Sequence, residues 1–140
     1  MKREIRIPEP EGLNAELYRQ WQDGVLRLQR CRDCATLRHP PRYRCAQCAA
    51  EGFDWHPCAP HGRLFSWVVT HHPFDRGWAG EAPWVSAIVE LDSGVRLVGH
   101  LAGADPSSLR LDMPVSVAIE AVTDTFSFLT FRITEIDDGR

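Results

Sequence analysis

The spacing Cys31-x-x-Cys34, ten residues, Cys45-x-x-Cys48 limits what this chain can become more than any other feature in it. Two residues between cysteines let both sulfurs of a tight turn reach one metal ion, and two such turns facing each other complete a tetrahedron. The spacer 35–44 holds few apolar residues and cannot bury a core of its own, so metal binding, worth on the order of 10–16 kcal/mol in isolated fingers, is expected to hold it. Thiolates fill all four positions and leave no open site for a catalytic water. The expected cofactor is one structural zinc per chain on Cys31, Cys34, Cys45 and Cys48. The fifth cysteine, Cys58, has no C-x-x-C mate and no activating neighbour in sequence, so it reads as inert. This pairing favours metal over disulfides and a reducing, cytoplasmic setting.

The flanking sequence suggests three parts: 1–24, 25–60 and 61–140. Residues 1–12 read as extended because Pro8 and Pro10 interrupt regular structure. Leu13, Leu17 and Trp21 then recur every four residues, which predicts a short helix capped by Asn14 and stopped at Gly24. Residues 25–30 alternate, with Leu26, Leu28 and Arg30 opposite Val25, Arg27 and Gln29, and predict a strand running into Cys31. Beyond the cysteines the period becomes two. Strands are expected over 64–71, over Val85, Ala87, Val89 and Leu91, over Val95 to Leu101, over Val115, Val117, Ile119 and Ala121, and over 128–136. A phase shift between Phe128 and Leu129 predicts a bulge in the last. Asp105-Pro106 has the form of a cap and first position of a one-turn helix between strands three and four. The expected fold is mainly β: a short N-terminal helix, a rubredoxin-like zinc ribbon and a five-stranded OB-fold barrel.

Charge divides the chain. Residues 26–80 carry eight Arg against four acids, and residues 81–140 carry four Arg against ten acids. The basic half coincides with the cysteines, where arginine can offset the negative charge of a four-thiolate zinc or meet an anion. No apolar run approaches the ~18 residues of a membrane span, and no secretory-type stretch opens the sequence. Ribbons and OB-folds both serve nucleic-acid binders, which makes such a protein the alternative reading. Against it, the strands that would stack bases offer Trp84, Arg96 and His100 but also Glu90, within the acidic half.

Several stretches in fixed order carry a resemblance to a known family: Trp21, 24–31 (GVLRLQRC), Pro40-Pro41-Arg42, 62–69 (GRLFSWVV), 82–85 (APWV), 90–97 (ELDSGVRL) and Met113-Pro114-Val115. Across nearly the whole chain the sequence resembles the acyl-CoA-associated family, long catalogued as one of unknown function, that joins an N-terminal rubredoxin-like zinc ribbon to a C-terminal OB-fold. Two features depart from the family pattern. Ala35 and Ala49 stand where Gly usually follows each knuckle, at a cost of ~1 kcal/mol if the left-handed turn is kept. Cys58 replaces a small polar residue. The resemblance implies a partner subunit of thiolase-fold enzymes (thiolases, acyltransferases or retro-aldolases acting on steroid side chains held on coenzyme A) or of hot-dog-fold hydratases, meeting acyl-CoA only indirectly.

No catalytic constellation is readable. His71 and His72 are adjacent and would face opposite sides of a strand, and no phosphate loop or nucleophile elbow occurs. His39, His56, His61 and His100 read as surface or packing residues. The chain is therefore expected to be non-catalytic alone. The stretch 72–83 stands out: Phe74, Arg76 and Trp78, among glycines that would leave it mobile, are candidate anchors for a partner. Trp21 and Trp84 join them as candidate residues for the partner or the acyl-CoA channel. Arg38, Arg42 and Arg44 are candidate phosphate contacts.

Overall fold

The computed structural model describes residues 5–134. The expectations for the extreme N-terminus and for the strand's end at Ile136 lie outside them.

Helix α1 (Gly12–Gln20) buries Leu13 and Leu17, and Trp21 beyond its end is only 2% exposed. The start differs from expectation. Asn14 is exposed inside the helix, and the extended residue before it is Glu11, which makes no side-chain cap. Docking of Leu13 in the first turn requires the helix to begin ahead of that residue. Gly24 ends the segment with φ of 81°, a left-handed value that glycine adopts without a steric penalty. The Trp21 indole N–H donates to the Arg27 carbonyl at 2.8 Å, tying the helix to the next strand.

Strands β1 (Arg27–Cys31), β2 (Leu37–Arg38) and β3 (Phe53–Pro57) form an antiparallel sheet in the order β2-β1-β3. Strands β4 (His61–Thr70), β5 (Trp84–Leu91), β6 (Arg96–Leu101), β7 (Pro114–Ala121) and β8 (Ser127–Ile133) close into a barrel in the order β4-β5-β6-β8-β7. Period-two sequence maps directly onto burial in β5, where Val85, Ala87, Val89 and Leu91 point inward. Asp105 caps the one-turn 3-10 helix Pro106–Ser108 by accepting from the Ser107 N–H at 3.0 Å. The seam that closes the barrel is the parallel pairing of β6 with β8, His100 with Thr130 and Leu101 with Phe131. Gly99 permits it, since a Cβ there would stand 2.6 Å from the Leu129 carbonyl oxygen and 2.9 Å from the Phe131 ring.

The bulge falls elsewhere than expected. The β7–β8 register runs without a break from Val115–Ile133 to Ala121–Ser127, whereas β4 shifts against β5 between Leu64 and Ser66. Phe128 breaks the apparent phase because it belongs to the outer face, edge-on to Trp78 and Phe126, while Leu129 and Phe131 face the core. One hydrophobic cluster joins all the parts: Leu17 and Trp21 from the helix segment, Leu26 and Leu28 from the ribbon, and the barrel interior. Among the described residues no helix is long and apolar enough to cross a membrane.

Candidate metal centre and aromatic groove

The four sulfurs predicted as ligands converge, all within 4.8 Å of one another. Cys31 and Cys48 approach to 3.5 Å, as do Cys34 and Cys45. A tetrahedral zinc with ~2.3 Å bonds to sulfur needs edges of ~3.8 Å, so the donor set fits this ion in number, chemistry and spacing. Each knuckle closes through the same pair of backbone bonds. Ala35 N–H donates to Cys31 O at 3.0 Å and Cys31 N–H to Thr36 O at 3.0 Å; Ala49 N–H donates to Cys45 O at 2.9 Å and Cys45 N–H to Ala50 O at 3.0 Å. Both turns end in the left-handed region, Ala35 at φ 63° and Ala49 at φ 65°, where the sequence lacks the expected glycines. The Thr36 side chain, 3.1 Å from Cys34 Sγ, and the Thr36 N–H hold the Cys34 thiol down to about 6. The Cys34 N–H, with that of Asp33, lowers Cys31. Both effects favour the thiolate that a metal requires.

The spacer has an anchor besides the metal, which sequence reading did not anticipate. Gln29 was expected on the polar face of β1, yet it is 1% exposed. Its Oε1 accepts from Arg38 Nε at 2.7 Å and from the Arg42 N–H at 2.7 Å, and its Nε2 donates to the Arg42 carbonyl at 2.8 Å. A polar residue in an alternating strand reads as outward-facing unless the partner loop is known, so no local signal marked it. Of the three arginines expected to contact phosphate, this clamp engages the side chain of Arg38. Arg38 is committed to Gln29 and, through Nη2, to the Arg42 carbonyl at 3.0 Å. Arg42 is exposed, and Arg44 pairs with Glu51 at 2.8 Å.

The aromatic loop splits into two fates. It contains a 3-10 helix (Arg76–Glu81), with Asp75 accepting from the Gly77 N–H at 2.9 Å. Trp78 folds back edge-on to Trp84, with ring centroids 4.6 Å apart. Phe74 stands fully exposed beside a shallow depression shared with Thr70, Pro73 and Trp78. Arg76 is exposed too. Trp21 lies in the intramolecular core. His71 and His72 fall just beyond β4, both exposed. Burial raises the Cys58 thiol, which donates to the His56 carbonyl.

Between α1, the ribbon spacer and the outer face of β6–β8 runs a groove of about 460 Å³. Tyr18, Trp21, Trp78, Trp84, Phe126 and Phe128 line it. His39, stacked on Trp21 at 5.9 Å, and His100, stacked on Trp84 at 3.5 Å, also face it. Burial lowers the His39 pKa to about 4 and pulls His100 down as well.

Comparison with known proteins agrees with this architecture. Residues 20–54 match the ChsH2 rubredoxin-like zinc ribbon domain and residues 55–120 the ChsH2 C-terminal OB-fold domain. A probable enoyl-CoA hydratase alpha subunit of Thermomonospora curvata is 42% identical over 102 residues, covering 73% of this chain and 31% of that protein. The 3-oxo-4,17-pregnadiene-20-carboxyl-CoA hydratase alpha subunit of Mycobacterium tuberculosis is 41% identical over 97 residues, covering 66% and 30%. The chain thus spans about three-tenths of the length of these two curated relatives. Among solved structures, a chain described as Ltp2-ChsH2(DUF35) aldolase superposes with a TM-score of 0.77 at 35% identity, covering 91% of this chain and 98% of that one. With the ribbon, the barrel and their order all matched, the chain belongs to the DUF35 family of ChsH2-type zinc-ribbon and OB-fold proteins.

Proposed function

We propose that this chain is an accessory subunit, without chemistry of its own, of a cytoplasmic thiolase-fold acyl-CoA enzyme: a thiolase, acyltransferase or retro-aldolase acting in lipid or steroid side-chain metabolism. It stabilises that enzyme and helps shape its acyl-CoA channel. The observation that carries this reading is likeness over nine-tenths of the chain to a component of an aldolase complex. Two features of the molecule support it. The cysteine quartet is the metal-type cluster found among the described residues, and its ligands leave no open coordination site. Phe74, wholly exposed beside Arg76 on a loop that Trp78 and Trp84 hold in shape, has the form of an interface anchor.

Co-expression with each thiolase-fold enzyme of the source organism, followed by size-exclusion and acyl-CoA turnover assays, tests the proposal. The chain alone turns over no acyl-CoA; the complex elutes as one species with activity or solubility well above that of the enzyme alone. Phe74→Ala keeps zinc content and fold, because the ring packs on little, and weakens the complex by about 2 kcal/mol, ~30-fold. Unchanged affinity places the contact elsewhere on the surface. Absence of a complex with all of those enzymes refutes the proposal.

A further inference from the structure

We propose that the outer half of β4, Trp67 to Thr70, is an open sheet edge onto which the partner enzyme adds an extended segment as a further strand. The inference rests on the subunit reading above and deepens it by naming the geometry of the contact.

The pairing pattern leaves this edge free. β4 pairs with β5 from Gly62 to Thr70, but with β7 only from His61 to Arg63. Loop backbone extends that second side by one residue: Leu64 N–H donates to Met113 O and Asp112 N–H donates to Leu64 O, both at 2.9 Å. Beyond Leu64, among the described residues, no backbone bond joins β4 to anything except β5. The neighbouring hairpin fixes which groups are left over. Leu91 N–H donates to Val95 O, so by alternation Val89, Ala87 and Val85 bond toward β6 while Ile88 and Ser86 bond toward β4. Their partners in β4 are Ser66 and Val68. Trp67 and Val69 therefore direct their N–H and C=O groups away from β5.

Two observations say what fits there. Val85 and Ala87 are buried, whereas Val69 and Trp67, directly opposite them, stay partly exposed. A neighbouring strand with apolar residues at alternate positions would cover those side chains and pair the free backbone groups together. The edge also lacks the usual protection. Soluble proteins blunt an open edge with charge, proline or a bulge. Residues 67–70 (WVVT) hold no charge and no proline, and the β4 bulge falls ahead of them, between Leu64 and Ser66. Position commits the occupant to the partner enzyme. Thr70, where the edge ends, lines the same depression as Phe74, so a segment running along β4 arrives at the proposed anchor.

Hydrogen exchange read at single amides tests this, on the full chain alone and on its complex with the thiolase-fold enzyme that co-elutes with it. In the free chain Trp67 and Val69 should exchange rapidly while Val68 between them is protected. In the complex both should slow by ~100-fold or more. Val69→Pro should keep zinc content and fold, since a proline facing outward on an edge removes no ladder bond, yet weaken the complex at least ~10-fold. If that variant unfolds, the wild-type exchange decides. A stable complex in which Trp67 and Val69 still exchange rapidly overturns the edge contact and leaves the subunit reading standing. Protection of both amides in the chain alone, rising with its concentration, gives the edge to a second copy and overturns the proposal as well. Failure to form a complex with any such enzyme refutes the subunit reading, and this contact with it.

Discussion

Ala35→Gly and Ala49→Gly should each tighten zinc binding. Both alanines stand in the left-handed region at the ends of their knuckles, where an L-residue with a Cβ is disfavoured by ~1–2 kcal/mol and glycine is not. Glycine gives back ~0.5–1 kcal/mol through the greater freedom of the unfolded chain. Both side chains are exposed, so truncating them removes no packing, and the net gain is ~0.5–1 kcal/mol per site. Because folding of a ribbon is coupled to its metal, the gain should appear as a ~2- to 5-fold rise in zinc affinity for either change, and ~5- to 30-fold for both. Competition against a fluorescent zinc chelator at constant pH measures it. Ala50→Gly is the control: Ala50 lacks a positive φ, so the same truncation should lower affinity slightly. If Ala35→Gly and Ala49→Gly weaken zinc binding as the control does, strain at the two knuckles does not limit this chain's zinc affinity.

Gly99→Ala should destabilise the barrel by ~1–3 kcal/mol in urea unfolding, since the new methyl group meets the Leu129 carbonyl and the Phe131 ring at the closing seam. Gln29→Leu should cost at least ~2 kcal/mol by removing the partner of the Arg38 and Arg42 donors, and zinc release to a chelator should accelerate. His39 has a depressed pKa in the folded chain, about 4 against an ordinary 6.5. The unfolded chain therefore binds the proton first, and stability complete above pH ~6.5 falls by about 1 kcal/mol per pH step down to pH ~4. His39→Phe should remove that component; matched urea titrations with zinc in excess check it, and parallel pH profiles for the two proteins would contradict it.

What the sequence made legible was whatever local chemistry dictates. The C-x-x-C spacing located the metal because two residues are what a knuckle needs, and period-two runs located the barrel because a strand has two faces. Asp105-Pro106 marked its short helix because the cap is a contact between near neighbours. The failures share the opposite property. Gln29 is polar and buried because a loop nine to thirteen residues away returns to it. Phe128 is apolar and outward because Trp78, fifty residues earlier, covers it. Asn14 lost its predicted place to the docking of Leu13. The groove, too, was invisible: Tyr18, His39, Trp84, His100 and Phe128 come from separate segments, and no spacing unites them before the barrel closes.

The Gln29 clamp changes how the zinc should come and go. It grips the chain two residues before Cys31 and three before Cys45, so the closure of the intervening loop rests on the clamp as well as on the ion. A zinc held by one knuckle then meets the other pair of thiolates as an intramolecular ligand, at the high effective concentration a short tether confers. Recapture outruns escape. The rate at which a chelator strips the metal is accordingly set by how often one knuckle swings away from its neighbour, not by the combined strength of four bonds to sulfur.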